Sequence, residues 1–458
     1  MLVVRGGTVV TAEADPVAAD VLVDGERVVT VGEVGEVPDA LVVDAAGCLV
    51  VPGGVDAHTH LDSPQSGTVS TDDFHTGTVA AAFGGTTTIV DFAVQGPGTT
   101  LQDTLATWAG KADGRAVVDY GFHVIVTSLG EAELGAVDEL LGEGVTSLKL
   151  FMASPLMVDD ATIYRVLERA GAGGGMACVH AENGAVIDLL IGRALAEGRG
   201  APRWHAPTRP VLAEAEAAHR AIKLAELADA PVYLVHLSTG EAVAEVAAAQ
   251  AAGRPVFAET CPHYLVLDDA RYTDDARETA KYVISPPLRP AAQAANLWAG
   301  LVAGTLAAVT SDHCTFCLDG QRDRWLDDFA GMPNGGPGIE HRLSLVYSEG
   351  VAAGRISQRR WVELVAAGPA KLFGLWPSKG TIRPGSDADL VVFDPAATQR
   401  VSAATHHMNI DYSIYEGFEL TGAVRTVVSR GEVIVDRGKA TARPGRGRYL
   451  RRGPSGRP

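Results

Sequence analysis

The chain has 458 residues, of which 47% are hydrophobic and 21% charged, a balance that is typical of a folded globular protein and excludes a disordered chain. Lysine and arginine number 38 against 56 aspartate and glutamate residues, which gives a formal net charge of −18. An acidic surface repels phosphate backbones, so we expect no nucleic-acid partner.

The cysteine count and the hydropathy of the chain bear on its compartment. Five cysteines without a framework spacing argue against a disulfide scaffold and for a reducing environment. No apolar run reaches 18 residues, and the opening Met-Leu-Val-Val-Arg lacks the charged start and apolar core of a signal peptide. We therefore expect a cytoplasmic protein that does not enter a membrane.

The two ends of the chain have a β pattern. In residues 1–52, short apolar runs are separated by Gly, Asp and Pro without a helical period, and residues 385–394, 424–429 and 432–435 form similar runs. Neither end has enough apolar surface to fold alone. We predict that residues 1–52 and 375–458 pair into one small β-sandwich domain.

Residues 53–374 have a different sequence pattern, in which short apolar runs alternate with alanine-rich helical stretches such as 213–228 and 240–252. Strand–helix alternation repeated eight times predicts an α/β fold of the (β/α)8 TIM-barrel type, as a catalytic domain over residues 53–374. The eight predicted strands are 54–57, 86–92, 120–126, 147–151, 176–179, 232–235, 255–258 and 306–310.

Ionisable side chains follow several predicted strands. The first strand ends in Asp56-Ala-His58-Thr-His60, where the two histidines share one face because side chains two residues apart in a strand point the same way. Because the carboxyl ends of barrel strands meet at one mouth, side chains far apart in sequence can come together there. The pattern predicts a metal site, and its other members are Lys149, His180, His236 and Asp312.

Lys149 needs an explanation of its own in such a site. An ammonium group has no lone pair and repels a metal cation. The lysine fits only if it is modified to an anion or if it is a neutral nucleophile, and the residues alone leave both possibilities open.

A series of short motifs runs through almost the whole chain. They include Gly53-Gly-Val-Asp-Ala-His-Thr-His-Leu-Asp62, Ala82-Phe-Gly-Gly-Thr-Thr-Thr-Ile-Val-Asp-Phe92, Val179-His-Ala-Glu-Asn183, Ser285-Pro-Pro-Leu-Arg289, Thr310-Ser-Asp-His-Cys314 and Pro333-Asn-Gly-Gly-Pro-Gly338. With these motifs the chain resembles the dihydropyrimidinase/hydantoinase family of the amidohydrolase superfamily.

The resemblance implies two divalent metal ions, usually zinc. His58, His60 and Asp312 would bind the first metal, and His180 and His236 would bind the second. Lys149 would be carbamylated by CO2 and would bridge both metals, which resolves the difficulty with its charge. Family enzymes are usually homotetramers, so we expect a homo-oligomer that acts on a small molecule.

The resemblance also implies a reaction. The substrate would be a cyclic amide, and ring opening would convert a dihydropyrimidine or a 5-substituted hydantoin into an N-carbamoyl amino acid. Asp312 would act as general base as well as ligand. Backbone groups of Ser285 and Asn334 would hold the substrate.

Two departures from the family pattern fall on loops that shape the substituent pocket. The family usually has a tyrosine, whose hydroxyl stabilises the oxyanion, five residues after the bridging lysine, and this chain has Ser154 there. The segment 62–67, Asp-Ser-Pro-Gln-Ser-Gly, replaces an apolar segment. The alternative is therefore a related amidohydrolase that acts on another cyclic imide or ureide.

A hypothesis from another functional class is that the protein is a non-catalytic adaptor related to dihydropyrimidinases. Those relatives have lost metal ligands, whereas this chain keeps all six, which counts against that class. The arginine-rich end of the chain, residues 443–457, predicts either a mobile tail or a strap onto a neighbouring subunit.

Overall fold

A barrel of eight parallel strands occupies the middle of the computed structural model, which describes residues 1–456. Each strand is hydrogen-bonded to the next one along the chain. The sheet closes where the His60 N–H donates to the His313 carbonyl at 2.8 Å. The predicted TIM barrel is confirmed, and its strands are Gly54–Thr59, Thr86–Val94, Asp119–Ile125, Ser147–Phe151, Met176–His180, Val232–Leu234, Val256–Thr260 and Ala308–Val309.

Helices cover the outside of the barrel, so the strands are buried on both faces and have no polar alternation. The longer helices are Thr76–Phe83, Leu101–Ala112, Gly135–Gly142, Asp160–Ala172, Gly184–Ala196, Val211–Leu227, Gly240–Ala251 and Ala292–Ala303. Shorter helical segments include Pro262–Val266, Ala276–Ala280, Arg342–Val346, Gln358–Val362 and Gly368–Leu372. Within the described part of the chain, no helix combines the length and the apolar character needed to cross a membrane.

A nine-stranded sheet is built from both ends of the chain. The two ends join where Leu49–Pro52 pairs antiparallel with Leu390–Arg400. The sheet has a hydrophobic core of its own, so the predicted β domain from both ends is confirmed. The boundaries at residues 52 and 374 stay a prediction. The remaining strands are Leu2–Val9, Val17–Asp24, Arg27–Gly32, Leu41–Asp44, Glu419–Ser429, Glu432–Asp436 and Lys439–Ala440.

A buried ion-pair cluster joins this sheet to the barrel. The Lys379 Nζ lies 2.6 Å from Asp119 Oδ2, at the start of the third barrel strand. It also lies 2.8 Å from Asp389 Oδ2 and 3.0 Å from Asp387 Oδ2. Because the Lys379 side chain is only 2% exposed, one cation is shared among carboxylates with little help from water.

The arginine-rich end of the chain packs against the barrel of its own chain. The Arg452 guanidinium is buried and donates to the Phe122 carbonyl and, at 2.8 Å, to Ser147 Oγ. The Leu450 N–H donates to the Tyr120 carbonyl at 2.7 Å. For the residues up to 456, the predicted mobile tail is therefore wrong, because this segment packs on the barrel of its own chain. The predicted strap onto a neighbouring subunit stays a prediction.

Candidate metal centre and substrate pocket

One cavity of about 320 Å³ opens at the carboxyl ends of the barrel strands. The structure brings every sequence-predicted site residue into its wall, although their positions span 277 residues of the chain, from 58 to 334. These nine residues are His58, His60, Lys149, Ser154, His180, His236, Ser285, Asp312 and Asn334.

The first group of candidate ligands is centred on Asp312. Its Oδ1 lies 3.1 Å from His58 Nε2 and 3.2 Å from His60 Nε2. Burial opposes ionisation of the carboxyl group, but His58 and His60 outweigh it and hold the pKa of Asp312 well below its usual range. His236 also belongs here, because one ligand atom each of His58, His236 and Asp312 lie within 4.8 Å of one another.

The second group is a pair of histidines. His180 Nδ1 lies 3.0 Å from His236 Nε2. The other ring nitrogen of His180 lies 2.9 Å from Glu182 Oε2, which also accepts a bond from Arg209 Nη1 at 2.8 Å. Burial lowers the pKa of both histidines, so both are neutral near pH 7, the form in which imidazole binds a metal.

Lys149 lines the same cavity as the two groups, and its Nζ lies 4.9 Å from the ring centres of both Phe92 and Phe151. Its side chain is fully buried, and its Nζ makes no hydrogen bond. Burial lowers the pKa of Lys149 to about 8. Burying a charged amine without a counter-ion costs free energy, so the amine loses its proton easily. A lysine must be neutral to react with CO2.

Two of the candidate ligands have unusual backbone conformations. His236 has φ +40° and Asp312 has φ +48°, a region that side chains other than glycine rarely adopt. Residues held in such conformations concentrate at functional sites, where the surrounding structure compensates for the strain. The backbone thus directs these two side chains into the cavity.

Glu259 is a site residue that the sequence analysis missed. It lies on the seventh barrel strand, is fully buried and is hydrogen-bonded to His58 Nδ1. The Tyr233 hydroxyl donates to its other oxygen at 2.8 Å. Burial lowers the pKa of His58, but Asp312 and Glu259 outweigh it and raise that pKa to about 9. The signal was available, since Glu259 lies near the end of a predicted strand like the other site residues.

Arg209 is a second missed residue, and the sequence held no signal for it. It comes from the segment between two helices, is 7% exposed and lines the cavity. Burial raises the pKa of Glu182, but the charges of Arg209 and His180 outweigh it and lower that pKa to about 2. The resulting carboxylate fixes the orientation of the His180 ring.

The predicted substrate-binding residues Ser154, Ser285 and Asn334 also line the cavity. Ser285 Oγ donates to Asn334 Oδ1 at 3.0 Å, and Asn334 Nδ2 donates to the Met332 carbonyl at 2.9 Å. These bonds fix the Asn334 side chain and leave its peptide groups at the cavity wall. Ser154 is exposed, and its hydroxyl donates to Asp188 at 2.8 Å.

The donor set fits divalent metal ions. Four imidazoles and one carboxylate supply nitrogen and oxygen ligands of the kind that zinc prefers. The buried Lys149 Nζ, which lines the same cavity, lacks a hydrogen-bond partner. A metal-bound state in which the modified lysine is a ligand would give it a partner, whereas an apolar packing role would leave it unsatisfied.

Comparisons with known proteins define the class. The model of the amidohydrolase family matches residues 49–434, and the chain belongs to this family. A curated D-hydantoinase of Streptomyces coelicolor is 50% identical over 98% of this chain and 97% of its own length. A D-hydantoinase of Geobacillus stearothermophilus is 46% identical over 99% and 97%.

Solved structures agree with the sequence comparisons. The dihydropyrimidinase of Brevibacillus agri superposes with a TM-score of 0.98 at 49% identity, and the match covers 100% of both chains. The L-hydantoinase of Arthrobacter aurescens superposes with a TM-score of 0.89 at 29% identity over 98% of this chain and 99% of its own. The predicted resemblance to the dihydropyrimidinase/hydantoinase family is therefore confirmed.

Proposed function

We propose that the protein is a metal-dependent hydrolase that opens the ring of a cyclic amide, either a 5-substituted hydantoin or a dihydropyrimidine, to give an N-carbamoyl amino acid. One observation carries this proposal: the buried Lys149, whose Nζ has no hydrogen-bond partner, shares a single cavity with four histidines and Asp312. Relatives named for hydantoinase and dihydropyrimidinase activity along the full chain support it.

Six residues would hold two metals, which we propose are zinc. His58, His60 and Asp312 would take one, and His180 and His236 the other, with Lys149 as a carbamate between them. When bound, the two cations make a water molecule acidic near neutral pH and polarise the ring carbonyl. Glu259 and Glu182 keep the His58 and His180 rings in their orientations.

The chain's own residues account for the proton transfers. Hydrolysis adds water to the ring carbonyl carbon, breaks the ring C–N bond and places a proton on the leaving nitrogen. Asp312 is a carboxylate of the cavity wall and would accept the proton of water. In the second half of the reaction it returns that proton to the nitrogen.

The part of the cavity wall formed by Ser285, Asn334 and Ser154 orients the substrate ring. The peptide groups of Ser285 and Asn334 bind its amide edge, while the Ser154 loop faces its substituent. A serine hydroxyl that donates to Asp188 is not available to the oxyanion. For this reason the second candidate function is hydrolysis of another cyclic imide or ureide.

We also propose that the enzyme works in the cytoplasm as a homotetramer, as implied by the family resemblance. The reducing compartment agrees with its five free cysteines, four of which are buried.

The test is a substrate panel on metal-loaded protein. It contains dihydrouracil, 5-alkyl- and 5-arylhydantoins, and cyclic imides, and ring opening is followed by chromatography. We expect hydrolysis of a hydantoin or dihydrouracil together with about two metals per chain. Hydrolysis of imides alone would select the second candidate, and protein with under about one metal per chain and no hydrolysis would refute both.

A further inference from the structure

The side chain of Gln65 lies in the candidate substrate pocket, on the loop that follows His58 and His60. It belongs to the two-residue strand Pro64–Gln65, which pairs with Thr68–Val69 in a small hairpin. In the proposed reaction Gln65 has no role. It is also part of the segment that departs from the apolar family pattern.

The Gln65 carboxamide is paired with the backbone of one residue of the pocket wall. With the amide oriented so that both of its polar atoms have partners, its nitrogen donates to the Asn334 carbonyl at 2.9 Å, and its oxygen accepts from the Asn334 N–H at 3.1 Å. Both peptide groups of Asn334 at the wall are therefore satisfied by a single side chain. The peptide groups of Asn334 in the cavity wall thus bind a carboxamide, that of Gln65.

The edge of the Gln65 carboxamide that Asn334 binds carries the same hydrogen-bonding groups as a cyclic amide. A primary carboxamide carries a carbonyl oxygen and an N–H side by side, one as acceptor and one as donor. A ring amide, which the ring keeps in the cis form, presents the same pair on one edge. Asn334 can therefore bind the Gln65 carboxamide or the edge of a ring, but not both through the same two groups.

We propose that Gln65 is a specificity-determining residue that competes with the substrate for the Asn334 peptide groups. This inference rests on the proposed function, because it takes the ring amide as the competing ligand. A ring that offers an N–H beside a carbonyl restores both bonds when it displaces Gln65. A ring that lacks either group leaves a peptide group of Asn334 unpaired in the pocket and is bound more weakly.

The hairpin that carries Gln65 has a second attachment. Gln321 Nε2 donates to Thr68 Oγ1 at 2.7 Å and to the Val69 carbonyl at 2.9 Å. This attachment does not involve Gln65 or Asn334. The carboxamide of Gln65 can therefore leave Asn334 while the hairpin stays in place, as a competing group must.

The variant Gln65→Met tests the proposal, since methionine has a similar length but makes no such hydrogen bonds. In the metal-loaded enzyme we expect the KM for hydantoin or dihydrouracil to fall roughly 5- to 150-fold, the value of two net hydrogen bonds, with kcat nearly unchanged. The matched control is Val69→Ala, in the same hairpin, whose side chain is 47% exposed and does not line the cavity. It should leave KM unchanged.

An unchanged or increased KM in Gln65→Met would overturn the proposal, and an increase would mean that Gln65 helps to hold the ring. Hydrogen exchange of residues 332–336 in the ligand-free holoenzyme gives an independent measurement. We expect faster exchange of the Asn334 N–H in Gln65→Met only, and equal exchange in all three proteins would also overturn the proposal.

Failure of the proposed function gives a different result. In that case the unaltered enzyme and both variants hydrolyse no member of the substrate panel. The dissociation constant of hydantoin, measured by calorimetry, then replaces KM in the same comparison. Tighter binding by Gln65→Met supports competition for Asn334, and equal or weaker binding overturns it.

Discussion

His180 Nδ1 and His236 Nε2 lie 3.0 Å apart at the ends of neighbouring barrel strands, and both rings are buried. Two nitrogen ligands about 2.0 Å from one tetrahedral metal are separated by roughly 3.3 Å, which is close to this distance. The two ring nitrogens are therefore spaced as two ligands of one cation would be. Lys149 lines the same cavity as this pair.

Replacing Lys149 with alanine should remove metal and activity together. The carbamate that we propose at this position carries the negative charge that both cations share, so its loss leaves two like charges facing each other. We expect the metal content, measured by plasma mass spectrometry, to fall below about one per chain, and hydrolysis to disappear. Acetate or propionate should partly restore activity by supplying a carboxylate.

The control for this experiment is Lys223→Ala, a lysine on the surface whose side chain is 53% exposed. It should keep both metal and activity. Full activity of Lys149→Ala without added acid would refute the bridging role.

The variant Glu259→Gln should weaken the first metal position without abolishing the fold. The carboxylate of Glu259 holds His58 Nδ1 and increases the basicity of the ring, and an amide cannot do this to the same extent. We expect metal affinity, measured by competition with a chromogenic chelator, to fall about 10- to 100-fold.

A matched control exists for Glu259 as well. Glu245 lies 2.8 Å from His219 on the surface, so Glu245→Gln removes a carboxylate–histidine contact of the same kind outside the site. Its metal affinity should equal that of the unaltered protein. If both variants or neither variant lost affinity, the positioning role of Glu259 would be wrong.

The variant Ser154→Tyr should increase the rate on dihydrouracil. The Ser154 hydroxyl donates to Asp188 and lies on the cavity wall, where a longer side chain with a terminal hydroxyl can reach the reacting carbonyl. One donor to an oxyanion changes kcat by about 10²–10³-fold, and we expect an increase within that range. Ser154→Ala should change kcat little, because the serine does not serve the oxyanion. A slower Ser154→Tyr enzyme would show that serine is itself required for the preferred substrate.

The barrel and the gathering of ionisable side chains at its mouth could be predicted from the sequence because both depend on regular elements. A strand period of two brings His58 and His60 to one face, and parallel strands bring Lys149 and Asp312 to the same mouth. Glu259 obeys the same rule and could have been found with it.

The loop contacts could not be predicted in this way. Arg209 and the Gln65–Asn334 pairing come from segments without a period, whose positions depend on tertiary contacts. The prediction of a mobile tail at the end of the chain was wrong for a related reason. A composition of arginine, glycine and proline resembles a solvated tail, but Arg452 is buried because the Phe122 carbonyl and Ser147 accept its hydrogen bonds.

The junction between the barrel and the terminal sheet should make the protein sensitive to acid. Burial opposes ionisation of Asp119, but Lys379 outweighs it and lowers the pKa of that carboxyl. A group whose pKa is lower in the folded state adds stability above its unfolded pKa, about 3.9, and loses it as the pH falls through the folded pKa. Burial likewise opposes the charge of Lys379, but Asp389 and Asp119 raise its pKa, so the lysine's contribution is lost only at strongly alkaline pH.

Lys379→Met should therefore reduce the free energy of unfolding by about 3–5 kcal/mol at pH 7, because it leaves buried carboxylates without a partner. Urea unfolding between pH 3 and 7 measures this, and the variant should lose less stability on acidification than the unaltered protein does. Arg27→Met is the control, because Arg27 pairs with Asp387 but is 54% exposed, and it should cost less than about 1 kcal/mol. Equal acid sensitivity of the unaltered protein and Lys379→Met would place the acid-labile carboxylates elsewhere in the molecule.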